Sequence, residues 1–186
     1  MKKALVILAT LVLSFTANAY DYNIEKDHRS NHENSDSIHT GGEQASSSQV
    51  CNDHGRAMSL NNDQVIKWKT SQPNNFRARG YVNGTVDEIF PDMTGHHHFS
   101  VKIGEQANDH VEVIYQINFG HMPEPRIGDQ VVACGDFINS YAQSGGYQPS
   151  PDGAIIHWVH RNPDGHGHDD GFVILNGTLF GNGNGH

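Results

Sequence analysis

From residue 76 onward the chain alternates apolar and polar residues with the period of two that a half-buried β-strand requires, and Gly, Pro, Asn and Asp break the runs. The stretch FRARGYVNGTVDEIF, 76–90, is rich in β-branched and aromatic residues and carries glycines where a strand bulges or bends. HHHFSVKIG, 96–104, places Phe99, Val101 and Ile103 on one face, and HVEVIYQINFG, 110–120, does the same with Val111, Val113, Tyr115 and Ile117. A proline-bounded turn, MPEPRIGD, leads into QVVACGDFI at 130–138, and a Gly/Pro/Ser-rich loop leads into IIHWVH. FVILNGTLF sets two apolar arms about Asn176-Gly177, a strong signal for a type I′ hairpin. Upstream, SLNNDQVIKWK predicts a helix of about two turns, capped by Ser59 or Asn61, with Val65, Ile66 and Trp68 as a partial apolar face.

Five main strands with short connections predict a mainly β fold, a small OB-like closed β-barrel, because an open sheet would leave its edges exposed. The barrel is expected over 76–180, after a short helical lead-in at 51–75 and a polar, disordered arm at 20–50, and before a flexible tail at 181–186.

The first residues change the picture. MKKALVILATLVLSFTANAY has two lysines, an apolar run too short to span a bilayer, and Ala17 and Ala19 ahead of a cut, which predicts a Sec signal peptide over 1–19 with cleavage after Ala19. The expected location is periplasmic or secreted, with no membrane span. Removing that segment leaves 10 basic against 21 acidic side chains, a surface that disfavours nucleic acid as a partner. In an exported chain the even pair Cys51 and Cys134 reads as a disulfide closing a long loop.

Candidate chemistry concentrates in AIIHWVHRNPDGHGHDDGF, 154–172. On a strand, His-x-His puts both rings on one face, as for His96 and His98, and for His166 and His168 if their loop is extended. His157 and His160 share a side only if the strand bulges or ends near Val159. The candidate metal ligands are therefore His96, His98, His157, His160 and His168, with His166, Asp164, Asp169 and Asp170 as additional ones and Zn or Cu as the cofactor. Against this stand plainer readings. His157 is a buried histidine held by a carbonyl, Trp158 packs in the core, and the loop aspartates form turns.

GHHHF, EPRIGDQVVACGDF and IIHWVHRNPDGHGHDDGF together resemble the exported bacterial family known as domain of unknown function 3465, over roughly 76–180. The motif positions fall on His96 before Phe99, on Pro125, Arg126, Gly128 and Asp129, and on His157, Trp158, His160 and His168. The chain departs from the pattern at Arg161, Asn162 and Pro163, where His-Asp-Pro is usual, and at Phe172, where tryptophan is usual. The resemblance implies a small β-barrel and export, and no reaction.

No nucleophile elbow, zincin helix, phosphate loop or Cys-x-x-Cys points to an established enzyme class. The leading expectation is an exported binding barrel that takes a transition metal or small ligand at a histidine-rich rim. The alternatives are a metal-dependent phosphodiester hydrolase and a cell-surface module that binds a protein or glycan.

Overall fold

The computed structural model describes residues 49–183. The expected signal peptide, nearly all of the arm and the end of the tail lie outside the described residues. The fold is mainly β with one α-helix. Two short strands, β1 (Asn52–Asp53) and β2 (Arg56–Ala57), form a hairpin whose turn residues His54 and Gly55 both take positive φ. Helix α1 follows at Asn62–Ser71, then β3 (Arg77–Met93), β4 (His96–Lys102), β5 (His110–Gln116), β6 (Gln130–Asn139), β7 (Ala154–His157), β8 (Phe172–Leu175) and β9 (Thr178–Phe180).

The second sheet runs β3-β4-β5-β7-β6-β8-β9, and β3 also pairs with β6. One long strand makes both of its ladders possible. Arg77–Thr85 pair with β6 and Thr85–Met93 pair with β4, with register breaks at Asp87 and between Phe90 and Met93. The strand changes partner at Thr85, and at Gly84 beside it a Cβ would stand 2.9 Å from a Val101 methyl and collide with Lys102 O. β5 and β7 are parallel, and all other pairs of this sheet are antiparallel.

Alternation sorts the side chains as expected for half-buried strands. Val82, Val86, Phe99, Val101, Val111, Val113, Tyr115, Phe137 and Ile156 form the main core. Helix α1 covers one end with buried Val65, and Trp68 packs on Phe76 and Phe137 at ring distances of 5.8 and 5.6 Å. Asn139 ties the helix down by donating to Trp68 O and Gln72 O. A smaller cluster on the opposite sheet face gathers Cys51, Cys134 and Phe172 with Tyr81, Val132 and Ile174.

The disulfide Cys51–Cys134 is formed, spanning 83 residues with both sulfurs buried. The β8–β9 turn has φ 49° at Asn176 and 83° at Gly177, the two positive values that a type I′ turn needs. Asn61 precedes the helix, but its side chain bonds Tyr81 N and Arg79 O and does not cap the first turn. The strand expected over 110–120 ends at Gln116, where a 3-10 turn, Ile117–Phe119, takes over. Among the described residues no helix is long and apolar enough to cross a membrane.

Candidate functional site

The sheet face that turns away from the main core carries His96, His98 and His157. His96 and His98 stand on β4, two residues apart, with ring centroids 6.2 Å from each other. Two strands away, His157 ends β7, and its ring lies 6.0 Å from that of His96. β5 lies between them and faces the same side with Glu112, Ile114 and Gln116, because Ser100 pairs with Glu112, His98 with Ile114 and His96 with Gln116.

The chain leaves the sheet directly after His157. Trp158 adopts φ 50°, a left-handed conformation that a tryptophan takes only under constraint. Trp158 is not in the core, contrary to expectation. Its ring lies half-buried on the histidine face, 4.6 Å from His157 and 5.5 Å from His168, with the Arg77 guanidinium 5.4 Å away. This early turn solves the parity problem between His157 and His160. The strand ends two residues before Val159, so Val159 drops into the core and His160 returns to meet His168 at 5.5 Å. His160 also stacks on Phe119 at 3.7 Å with the rings 9° apart.

The loop that delivers His168 is organised by Asn162. Its side chain donates to His166 O and His168 O and accepts from Asp164 N and Gly165 N. Asp170 accepts from Asn162 N, and its carbonyl takes the Arg79 guanidinium. His166 and Asp164 are exposed on the outer turn. Asp169 accepts from His54 N, across to the β1–β2 turn. The Asp169 and Asp170 carboxylates therefore anchor the loop.

Hydrogen bonding fixes the state of four imidazoles. The Nδ1 of His96 bonds Thr94 O at 3.0 Å, that of His160 bonds Arg161 O at 2.7 Å, and that of His168 bonds Asp169 O at 2.9 Å. A carbonyl can only accept, so each of these rings carries its proton on Nδ1 and, when neutral, its lone pair on Nε2. His98 Nδ1 lies 2.7 Å from Glu112 Oε1, both groups being buried. His97, on the other face, is different: Nδ1 meets Asp92 and Nε2 meets Met122 O, which leaves no nitrogen free. No carbonyl partner for the His157 ring is found among the described residues.

Electrostatics favour neutral rings. Burial lowers the His157 pKa to about 3, helped by His96, His160, His168 and His98 nearby. Burial likewise lowers His160 to about 4, against the opposing pull of Arg161 O, and lowers His96. Neutral imidazole is the form that ligates metal.

Sequence reasoning missed three contributors. Glu112 stands opposite Val111 and Val113 in the alternation, which was the available signal for its face. Arg79 is buried and joins Asn52 O, Asp136, Cys134 Sγ and Asp170 O. The third is the pair Asp53 and His54, which joins the candidate Asp169 in a more compact group whose ligand atoms all lie within 4.8 Å of one another at the surface. The imidazole array is more open than this. No protein-family model, curated protein or solved structure in the comparisons matches the chain.

Proposed function

We propose that this protein is an exported OB-like barrel that binds a transition metal ion, Zn²⁺ or Cu²⁺, through its outer-face histidines. The barrel reading rests on the ladder that passes from β3 through β4, β5, β7 and β6 back to β3, which leaves none of these five strands without two partners. Export rests on the leader-like first residues and on the disulfide, a bond that persists in oxidising compartments.

One observation carries the metal reading. Four rings have Nδ1 bound to oxygen, and such outer bonds are what orient histidine ligands at metal sites. The ligand set is nitrogen, with both sulfurs oxidised, and imidazole suits Zn²⁺ and Cu²⁺ over Ca²⁺ or Mg²⁺. Zn–N bonds of about 2 Å require the rings to close inward by side-chain rotation. Isothermal titration of the chain with Zn²⁺ and Cu²⁺, repeated on a His96→Ala/His157→Ala double variant, tests the reading. Tight binding that the variant loses supports it; equal affinity in both proteins, or none in either, removes it.

A further inference from the structure

We propose that Asp53, His54 and Asp169 form a further metal site at the surface, which takes a divalent transition ion such as Zn²⁺ and ties the β1–β2 turn to the loop that carries His168. This goes beyond the outer-face reading above and stands without it, since it uses none of the histidines of that face.

One ligand atom from each of the three side chains lies within 4.8 Å of the other two, and His54 Nε2 stands 3.8 Å from Asp53 Oδ1. Donor atoms on one ion stand about 3–4 Å apart when each bond is about 2 Å, so small side-chain rotations bring these atoms onto one centre. The donors are also available. Among the described residues neither the exposed Asp53 carboxylate nor the exposed His54 ring is engaged in a hydrogen bond. Asp169 Oδ2 accepts His54 N, which takes up one of the roughly four lone-pair positions of a carboxylate. The segments that carry the ligands are fixed from beneath by contacts that leave the ligands themselves free. Buried Arg79 donates to Asn52 O and to Asp170 O, the neighbours of Asp53 and Asp169, so one guanidinium sets the spacing between turn and loop. Cys51, two residues before Asp53, is bridged to Cys134, and Met58 N closes the hairpin on Cys51 O. A site held in this way meets its ion already arranged.

The donor set selects the ion. Two carboxylates and a neutral imidazole supply two oxygens, one nitrogen and two negative charges, which balance a dication. Ca²⁺ and Mg²⁺ favour oxygen alone, and Cu⁺ favours sulfur, whereas Zn²⁺ accepts histidine and aspartate together. A dication between the carboxylates also replaces their mutual repulsion with attraction. Water completes the coordination at so exposed a place and competes with the ligands, so binding here is expected to be weaker than at the outer-face histidines. The ion joins segments 115 residues apart, at the residue next to His168.

Equilibrium dialysis of the full chain against Zn²⁺, in the His96→Ala/His157→Ala background, counts the ions bound when two outer-face rings are gone. Two further substitutions are then added singly. His54→Asn removes the imidazole with a residue that tolerates the left-handed φ of 50° at this turn, and Asp169→Asn keeps an oxygen that accepts His54 N. Each is expected to lower the count by one Zn²⁺ per chain, with the far-UV circular dichroism of the background kept. An unchanged count in His54→Asn, zero included, overturns the site and leaves any zinc bound to other groups. A count lowered by His54→Asn but not by Asp169→Asn overturns the tie between turn and loop. Neither failure touches the outer-face reading, which is decided by the difference between the native chain and the His96→Ala/His157→Ala background.

Discussion

Glu112 Oε1 and His98 Nδ1 meet at 2.7 Å between neighbouring strands, both side chains buried, so a carboxylate is held directly against an imidazole whose ring lies 6.2 Å from that of His96. In a metal centre such a carboxylate orients the ring and raises its basicity. Glu112→Gln keeps the shape and removes the charge. It is expected to lower Zn²⁺ affinity about 10- to 100-fold. Titration calorimetry measures the loss, and a circular dichroism spectrum like that of the wild type shows that the fold is kept. An unchanged affinity would mean that His98 does not ligate.

The low pKa values of His157 and His160 make stability depend on pH. Both rings are neutral in the folded chain down to about 3 and about 4, whereas in the unfolded chain they protonate near 6.5. The unfolded state therefore binds more protons between these limits, and stability rises with pH across that window. Their contribution is complete above about 6.5 and is lost progressively as pH falls toward the folded values. Melting temperatures taken from pH 7.5 to 4 are expected to fall steadily below pH 6.5. His157→Gln, which cannot titrate, should flatten the decline; a slope identical to wild type would show that His157 is not held neutral by burial.

What could be read in advance followed the period of two. Val111, Val113 and Tyr115 reach the core as alternation requires, and Asn176-Gly177 forms its turn because the dipeptide itself favours positive φ. The same parity separates His97 from His96 and His98. The site is less legible because its geometry depends on breaks in that parity. Trp158 reads as a core residue from its neighbours, yet a left-handed φ takes it out of the strand. No local pattern announces this, since the constraint comes from distant segments. Gly171 passes close beneath Trp158 O, and the Arg79 guanidinium, 91 residues away, holds Asp170 O.

Arg79 predicts a coupling between the disulfide and the histidine loop. Its guanidinium reaches Cys134 Sγ at 3.2 Å, Asp136 at 2.7 Å and the carbonyls of Asn52 and Asp170, and Asp136 pairs in register with His157. Removing the bridge by Cys51→Ala/Cys134→Ala is expected to cost about 4–5 kcal/mol on the loop-entropy argument. Arg79→Ala leaves Asp136 and two carbonyls without their donor and is expected to cost about 3 kcal/mol. Because the two act on one anchor, the combined variant should lose less than the sum. Urea denaturation of the single and combined variants measures this; strict additivity would show that Arg79 and the bridge support separate parts of the fold.

Gly171 offers the sharpest test of how the loop is seated. A Cβ at this position would stand 2.6 Å from Cys134 O and 2.9 Å from Val159 Cα, and would collide with Trp158 O. These are backbone atoms of two neighbouring segments, so no side-chain rotation relieves the clash. Gly171→Ala is therefore expected to destabilise by about 1–3 kcal/mol, the usual cost of overpacking. The strain should move Trp158 away from His157 and His168 and change its fluorescence, which neighbouring rings influence. Trp68, at the helix end against Phe76 and Phe137, stays in place and provides the internal reference. A Gly171→Ala protein with wild-type stability and emission would show that the return of the loop beneath Trp158 is looser than this packing requires. The seating of His168 would then have to come from Asn162 and Asp170 alone.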